Sequence, residues 1–311
     1  MVKVAVVQAG SLLFDTKATL KKLARLATEA AQGGAELIVF PEAFVGGYPK
    51  GVTFGAHVGS RSPEGRDLFR RYFDSAIAVP GPETSSIGET AAALGAHIVT
   101  GAIERDGGTL YCSVLHFDGK GVLVGRRRKL MPTGSERLIW GMGDGSTLDV
   151  VQTQFGRVGS VICWENYMPM LRMAMYAQNV EIYCAPTVDY RDTWQTTMRH
   201  IALEGRCFVL TAVQYFTRAD CPADFHPVQG DAPDTVLIPG GSAIYGPLGE
   251  VIAAPVYDRE AVIAAEIDLS DIARGKYDFD AVGHYARPDV FSLHIDRRPK
   301  KGVQTAAISD D

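Results

Sequence analysis

Short runs of apolar, often β-branched residues alternate along the chain with longer segments in which apolar residues recur at helical spacing. The strand-like runs include VKVAVVQA, AELIVF, HIVTGAI, YCSVLHF, GVLVG, RVGSVI, EIYCA and CFVLTAV. The helix-like segments include TKATLKKLARLATEAAQ, SSIGETAAALG, PMLRMAMYAQN and TWQTTMRHIALEG. Because strands that alternate with helices build sheets with helical covers, this pattern predicts an α/β protein.

The chain also contains a weak internal similarity. Residues 31–42, AQGGAELIVFPE, resemble residues 177–187, AQNVEIYCAPT, and each segment follows a helix that itself follows a strand. Two similar halves are therefore expected. The segment from Arg218 to Gly240 is rich in Pro, Asp and Gly and has no clear periodicity, so it is predicted to form a long surface loop.

Composition and charge narrow the classes of function. The chain has 311 residues, 46% of them hydrophobic, and a net charge of -5, which gives no general attraction to nucleic acid or to anionic membranes. The start of the chain lacks the pattern of a secretory signal, and no apolar run is long enough to cross a membrane. We therefore expect a cytoplasmic protein that acts on a small molecule.

The cysteines and histidines predict neither disulfides nor a metal site. The five cysteines are scattered without a Cys-x-x-Cys pair, and the seven histidines show no His-x-x-x-His pair. The glycine-rich GMGDGS, residues 141–146, lacks the preceding strand and following helix of a dinucleotide-binding loop, and it is interpreted as a turn.

Polar residues follow three of the apolar runs. Glu42 comes after ELIVF and Pro41, a basic run that ends at Lys129 follows GVLVG, and Cys163 follows RVGSVI. The tips of adjacent parallel strands share one edge of a sheet, and ligand sites are usually built there. A carboxylate, an ammonium and a thiol are thus expected to converge.

Each of these residues also has an ordinary structural interpretation. Cys163 could be a small buried apolar residue, as is expected of the three cysteines that lie inside apolar runs, Cys112, Cys184 and Cys207. Glu42 could be a solvated charge, although its apolar neighbours favour partial burial and a raised pKa. Lys129 could belong to a solvated basic face or to a phosphate-binding patch with the three preceding arginines. The apolar residues that follow Lys129 favour a side chain that points inward.

Five ordered motifs identify a family resemblance: FPEAFVGGYPKG, RRRKLMPTGSERLIWGMGDGST, VICWENYMP, EIYCAPT and VGHYARPDVFSL. Together they resemble the nitrilases, the nitrile-hydrolysing branch of the carbon-nitrogen hydrolase superfamily, from about Val2 to about Pro299. The sequences of these motifs are most similar to those of plant-type nitrilases, including those that act on β-cyanoalanine.

The resemblance implies a four-layer αββα sandwich that forms one domain at residues 1–299. The sequence after Pro299, residues 300–311, is expected to form a loosely held tail. It also implies homodimers that build larger homo-oligomers or spirals. The expected reaction converts an organic nitrile to its carboxylic acid and ammonia without a cofactor or metal, with some amide as a by-product.

The same resemblance implies the roles of four residues. Glu42 would be the general base, Lys129 a cationic stabiliser and Cys163 the nucleophile, exposed at a strand tip. The second family glutamate, which orients the lysine, matches Glu136 in GSERLIWG. One departure is Arg127, because many nitrilases have histidine two positions before the lysine.

Three further residues are expected near the substrate because each lies just past a strand that carries or echoes one of these motifs. They are Tyr48, Trp164 and Thr187, whose alternative interpretation is ordinary core and turn packing. The Cys-Trp-Glu run favours the nitrile branch over its amidase relatives.

Three other functions remain open at this point. An amidase or carbamoylase of the same superfamily would keep the catalytic residues and differ in the pocket. An inactive scaffold would use its oligomeric surfaces to bind a protein. Nucleic-acid binding through residues 126–129 is disfavoured by the acidic net charge.

Overall fold

A computed structural model describes residues 1–300, which fold into two main β-sheets, a short two-stranded sheet and covering helices. The strands are β1 (Val2–Gln8), β2 (Leu37–Val39), β3 (Ala56–His57), β4 (Ser60–Arg61), β5 (His97–Asp106), β6 (Thr109–Phe117), β7 (Leu123–Arg128), β8 (Val151–Thr153), β9 (Gly156–Ser160), β10 (Ile182–Thr187), β11 (Phe208–Val213), β12 (Tyr215–Thr217), β13 (Val236–Tyr245), β14 (Val251–Tyr257) and β15 (Ala261–Ile267). The α-helices are α1 (Thr16–Gln32), α2 (Pro63–Ser75), α3 (Pro82–Leu94), α4 (Pro169–Tyr176), α5 (Asp192–Gly205) and α6 (Ser270–Gly275).

The two large sheets have similar strand arrangements. The first has the strand order β15-β1-β2-β5-β6-β7, and the second runs β8-β9-β10-β11-β13, with β12 and β14 both paired to β13. In each sheet three neighbouring strands are parallel, β1-β2-β5 and β9-β10-β11, and the strands on either side are antiparallel. This correspondence agrees with the two similar halves expected from the internal similarity.

Side chains alternate between two cores along each parallel strand, as strand geometry requires. In β1, Val4 and Val6 belong to a core shared by both sheets, whereas Ala5 and Val7 pack with residues of α1 and α3. On the far side of the second sheet, Tyr183 of β10 belongs to a third core with residues of α4 and α5. The layers are therefore helix, sheet, sheet and helix, and the αββα prediction is confirmed.

Helix α1 shows why the predicted helices form. Its buried residues follow the i, i+3, i+4 and i+7 pattern that places them on one face, toward the first sheet; they are Thr19, Leu23, Leu26, Ala27 and Ala30. The Asp15 side chain caps the first turn by accepting from the Ala18 backbone N–H at 2.8 Å. Gly33 and Gly34 follow the last turn.

The prediction of a surface loop over residues 218–240 is wrong at its C-terminal end, because β13 begins at Val236. The rest of this segment packs against the domain through buried side chains. Arg218 is buried, and its guanidinium donates to the backbone carbonyls of Pro222 at 3.1 Å and Ala223 at 2.8 Å. Satisfied backbone carbonyls and a buried Phe225 fix this segment without any periodic pattern.

The position of the basic run also differs from the sequence-based expectation. Strand β7 continues through Arg126 to Arg128, so these arginines belong to the strand rather than to the turn after it. Arg126 and Arg128 both pair with the buried Glu104, which removes them from a solvated basic face.

Of the predicted tail, residues 301–311 lie outside the described part of the chain. Within residues 1–300, none of the helices has the length and apolar character needed to cross a membrane.

Candidate active site

The structure brings the predicted carboxylates and ammonium together in a buried cluster. Lys129 follows β7 directly, and its Nζ donates to Glu42 Oε1 at 2.6 Å and to Glu136 Oε2 at 2.8 Å. Glu42 and Lys129 are fully buried, and Glu136 is 7% exposed. Cys163 borders the same region and lines a cavity together with Glu136.

Glu42 is held by a strained turn after β2. Ala43 has a φ of 52°, in the left-handed region that residues with a Cβ avoid. Strand β5 passes so close that a Cβ at Gly101 would lie 2.7 Å from Glu42 Cα and 2.3 Å from the Pro41 oxygen. The Gln214 side chain, between β11 and β12, donates to the Glu42 backbone oxygen at 2.8 Å. Contacts from both halves of the molecule therefore fix the backbone that carries this carboxylate.

The electrostatics of the cluster favour a charged lysine beside a glutamate that gains protons readily. Burial alone would lower the pKa of Lys129, but the carboxylates of Glu42 and Glu136 raise it well above its usual value. For Glu42, burial raises the pKa above 4.5, Lys129 lowers it and Glu136 raises it again, with a net increase. Glu42 Oε2 has no hydrogen-bond partner among residues 1–300.

Glu136 lies in a short 3-10 helix, Gly134–Leu138, and accepts hydrogen bonds from three directions. Beyond Lys129, its Oε1 accepts from the Tyr48 hydroxyl at 2.9 Å and its Oε2 accepts from the Thr133 backbone N–H at 2.6 Å. The Tyr48 ring packs edge-on against Trp140, and Trp140 also lies 5.6 Å from the Lys129 Nζ. These contacts fix the Glu136 carboxylate, which in turn orients the Lys129 ammonium.

Cys163 is buried, at 3% exposure, so the expectation of an exposed thiol is wrong. It begins the 3-10 helix Cys163–Tyr167, after β9 has ended at Ser160, with a φ of 50°. Thr187 donates a hydrogen bond to its Sγ at 3.1 Å, and the Asn166 side chain donates to its backbone oxygen at 2.8 Å. A strained φ at a residue that lines a cavity is typical of functional sites.

The pKa of the Cys163 thiol is raised well above 9.0, first by burial and then by Glu42, while Lys129 lowers it. At neutral pH the thiol is therefore protonated. A neighbouring base has to remove its proton before it can attack a carbon atom.

A second buried ion pair supports the segment that carries the thiol. Arg127 and Glu165 form two parallel hydrogen bonds, at 2.8 and 3.0 Å, and both side chains are buried. Glu165 also accepts from the backbone N–H groups of Leu130 and Ile162. The pair thus ties the chain just after Lys129 to the chain just before Cys163. Arg127, the departure from the family pattern, has this structural role.

The cavity beside Cys163 has a volume of about 300 Å³. Its walls are Tyr48, Lys50, Thr133, Glu136, Cys163, Trp164, Val188, Asp189, Tyr190 and Arg191. A smaller cavity of about 190 Å³ adjoins it and shares the side chains of Tyr48, Lys50 and Glu136. Lys50 therefore lies in the wall between the cavity beside Cys163 and the smaller cavity.

The three residues predicted near the substrate all lie close to Cys163, but they differ in position. Tyr48 and Trp164 line the cavity, and Trp164 is 42% exposed with its indole N–H bonded to Asp189 at 2.8 Å. Thr187 is fully buried, lies outside the cavity wall and contacts the thiol instead. Its position favours orientation of Cys163 over contact with a ligand.

Lys50, Asp189, Arg191 and Gln214 are the site residues that the sequence interpretation missed. Lys50 stands within the quoted GYPKG and Asp189 two residues after Thr187, so proximity to a motif was a usable signal for both. Gln214 carried no such signal, because its contact with Glu42 joins residues 172 positions apart. Across the described residues 1–300, no group of three or more His, Cys, Asp or Glu side chains could hold a metal ion.

Comparisons with known proteins identify the family of the chain. The sequence profile of the family described as carbon-nitrogen hydrolase matches residues 3–277. The chain belongs to the carbon-nitrogen hydrolase family. It is 58% identical to a nitrilase of Bradyrhizobium diazoefficiens over 98% of this chain and 95% of that protein. It is 56% identical to an aliphatic nitrilase of Sinorhizobium fredii over 98% of this chain and 99% of the relative.

Plant relatives and a solved structure extend the comparison. A bifunctional nitrilase/nitrile hydratase of Nicotiana tabacum is 54% identical over 94% of this chain and 86% of its own length. The crystal structure of a carbon-nitrogen hydrolase from Helicobacter pylori, only 21% identical, superimposes with a TM-score of 0.73 over 93% of this chain and 96% of that one. The sequence-based resemblance to nitrilases, plant-type enzymes included, is confirmed, as is the fold.

Proposed function

We propose that this protein is a nitrilase that hydrolyses an organic nitrile to its carboxylic acid and ammonia, with Cys163 as the nucleophile. The observation that carries the proposal is the buried Glu42-Lys129-Glu136 cluster beside a cavity-lining thiol in a strained conformation. The high identity to named nitrilases over nearly the whole chain supports the same reaction.

In the first step, Glu42 takes the thiol proton as the sulfur of Cys163 bonds to the nitrile carbon, and this proton then passes to the nitrile nitrogen to give a thioimidate. The raised pKa of Glu42 makes it a better base than an ordinary carboxylate. Its Oε2, which lacks a partner in the described structure, is free to accept that proton. Nitrile carbons are weak electrophiles, so a sulfur nucleophile has an advantage over water.

Lys129 stabilises the negative charge that develops on the nitrile nitrogen and later on oxygen. Its pKa, raised by two carboxylates, keeps it protonated through neutral pH. In a buried site a preorganised ammonium contributes more than it would in water. Glu136 acts through the lysine as a positioning residue.

Water then adds to the thioimidate, ammonia leaves, and a second water releases the acid from the resulting thioester and restores the thiol. The tetrahedral intermediate has a second exit, in which the carbon-sulfur bond breaks first and an amide is released. We propose acid as the main product with some amide from certain substrates.

The experiment that tests this function is product analysis by chromatography with a parallel ammonia assay. The panel contains β-cyanoalanine, phenylacetonitrile, benzonitrile and an aliphatic dinitrile, with Cys163→Ala as the blank. Acid and ammonia that disappear in the blank would support the proposal. Turnover of the matching amides without turnover of any nitrile would favour an amidase or carbamoylase instead.

The remaining alternatives have less support. An inactive scaffold would not require the buried lysine between two carboxylates, and protection of Cys163 from alkylation by a nitrile would argue against that alternative. The basic run offers no unpaired arginine to a nucleic acid, because Arg126, Arg127 and Arg128 are each paired with a carboxylate.

We also propose that the protein forms homodimers that build into larger assemblies. Large apolar side chains are exposed on the outer helical layer, among them Met170 and Met173 on α4 and Leu203 on α5. Burial of such a surface against a second copy would remove apolar area from water. Sedimentation analysis tests this, and a monomer at micromolar concentration would contradict it.

A cytoplasmic location stays a prediction, tested by cell fractionation.

A further inference from the structure

Lys50 is a cation in the wall of the cavity without an anionic partner. It is half-buried beside Cys163, and no carboxylate among residues 1–300 lies within 4.0 Å of its ammonium. Its ammonium lies over the Tyr190 ring, 5.9 Å from the ring centre. Lys129 and Arg191, by contrast, are each paired with carboxylates. A partly desolvated ammonium is costly unless an anion reaches it.

The acidic groups of the cavity are already satisfied by other partners. Asp189 accepts from the Arg191 side chain at 2.6 and 2.9 Å and from the Trp164 indole at 2.8 Å. Glu136 accepts from Lys129, Tyr48 and a backbone N–H. Neither carboxylate therefore needs Lys50, and neither lies close enough to form an ion pair with it. Of the two cations in the cavity wall, Arg191 is therefore paired with a carboxylate, and Lys50 has no carboxylate partner among residues 1–300.

The backbone around Lys50 is fixed, so its position is built into the fold. The Lys50 N–H donates to the Tyr48 oxygen at 2.8 Å, and the Gly51 oxygen accepts from Val228 at 3.0 Å. Gly51 has a φ of +82°, and a Cβ there would lie 2.1 Å from the Gln229 side chain. This held turn places the lysine between the two adjoining cavities.

The local charges support a role in binding. Burial lowers the pKa of Lys50, and the carboxylates of Asp189 and Glu136 raise it only in part. An anion bound at the ammonium would offset the burial and keep the lysine charged. A hydrogen bond between two charged groups is stronger and shorter than one between neutral groups.

We infer that Lys50 is a specificity-determining residue that binds a carboxylate carried by the nitrile substrate. Preferred substrates are therefore cyano-carboxylates small enough for a cavity of about 300 Å³, with the nitrile at Cys163 and the carboxylate at Lys50. This inference rests on the proposed nitrilase function. Nitriles without an anionic group leave the ammonium unpaired and bind more weakly.

The test compares matched substrates that differ only in charge. The rate constant kcat/KM is measured for 3-cyanopropanoate, 4-cyanobutanoate and 5-cyanopentanoate and for the corresponding ω-cyano amides, with chromatography to identify the end that reacts. The variants are Lys50→Met, which removes the charge, Lys50→Arg, which keeps it, and Lys120→Met, an exposed lysine outside this cavity.

We expect Lys50→Met to lower the carboxylate-to-amide ratio of kcat/KM by about 10- to 100-fold for at least one chain length, the loss of one charge-assisted hydrogen bond. Lys50→Arg should keep most of the ratio, and Lys120→Met all of it. An equal loss on charged and neutral substrates would overturn the inference and make Lys50 a general electrostatic or structural residue. A ratio unchanged by Lys50→Met at every length would also overturn it.

A binding measurement separates this inference from the proposed function. Calorimetry of 4-cyanobutanoate with Cys163→Ala requires no turnover, and we expect binding to weaken by about tenfold or more when Lys50→Met is added. Equal affinity in both proteins would contradict the carboxylate site. If wild-type protein hydrolyses none of the charged or neutral nitriles, the nitrilase proposal fails, and the calorimetry still decides whether Lys50 binds carboxylates.

Discussion

At the residue scale, Lys129 is the group whose removal separates binding from chemistry. Its ammonium bonds two carboxylates and faces the charge that develops on the substrate. We expect Lys129→Ala to lower kcat by about 10²- to 10³-fold, the cost of losing one preorganised donor, with little change in KM. Steady-state kinetics with product analysis measures both constants. Unchanged turnover with a raised KM would show that the lysine only binds substrate.

The same substitution leaves two buried carboxylates without their cation, so its folding has to be verified. Loss of one partner from a buried ion pair typically costs about 3–5 kcal/mol. Far-ultraviolet circular dichroism and urea unfolding should show a folded but less stable protein. If the variant does not fold, Lys129→Arg, which keeps a cation there, is the alternative test: retained folding with lowered kcat would support the same conclusion.

The raised pKa of Glu42 predicts the pH dependence of the reaction. A general base must be ionised, so kcat/KM should fall with decreasing pH through a pKa above 4.5. Because the Glu136 charge helps to raise that pKa, Glu136→Gln should move this acid limb to lower pH. Glu36→Gln, an exposed glutamate before the strand that Glu42 follows, should leave it in place. An acid limb that stays fixed in Glu136→Gln would contradict the coupling.

At the element scale, the close approach of β5 to the Glu42 turn makes Gly101 a sensitive position. A Cβ there would lie 2.5 Å from the Ala43 nitrogen as well as against Glu42 Cα, and backbone atoms cannot move aside cheaply. We expect Gly101→Ala to lower kcat at least tenfold by displacing the carboxylate. Gly108→Ala is the matched control, because a Cβ there meets nothing within 4 Å. Equal activity in both variants would show that the turn is not fixed by this contact.

The Arg127-Glu165 pair joins two segments that carry site residues, so its loss should affect both stability and catalysis. We expect Arg127→Met to lower the free energy of unfolding by about 3–5 kcal/mol, because Glu165 would be left buried and unpaired. Urea unfolding measures the change. Arg66→Met, at an exposed arginine, should change it by less than about 0.5 kcal/mol. A similar small change in Arg127→Met would mean that Glu165 accepts a proton or a water without strain.

Local patterns predicted those elements that carry their own signal. Helix α1 and the parallel strands have clear periodicity, and Glu42, Lys129 and Cys163 stand at the ends of apolar runs. The burial of Cys163 could not be predicted, because its burial depends on distant segments such as the one that carries Thr187. Similarly, the 218–240 segment is held by the Arg218 guanidinium, a contact with no periodic trace. Long-range hydrogen bonds, rather than propensity, decide such positions.

At the scale of the whole molecule, a buried polar contact joins the two sheets. His116 of β6, in the first sheet, lies 2.7 Å from the Ser160 hydroxyl of β9, in the second, and 3.5 Å from His97 of β5. Burial lowers the pKa of both histidines, and the proximity of the two rings lowers that of His116 further. The interface between the sheets therefore requires neutral imidazoles.

Because the folded protein requires neutral imidazoles at His97 and His116, its free energy of unfolding should decrease as the pH falls. The pKa of His97 falls from 6.5 to about 4 on folding, with Asp118 raising it slightly against burial. Between these values the unfolded chain binds the proton and the folded chain does not, so stability is complete above about pH 6.5 and is lost as pH falls toward 4. His97 alone accounts for about 3 kcal/mol of that loss. Urea unfolding from pH 7 to 4.5 should show it, with a shallower decline in His97→Gln, where His116 is the one histidine of this pair that remains. Equal slopes in the two proteins would mean that acid unfolds the sandwich through other groups.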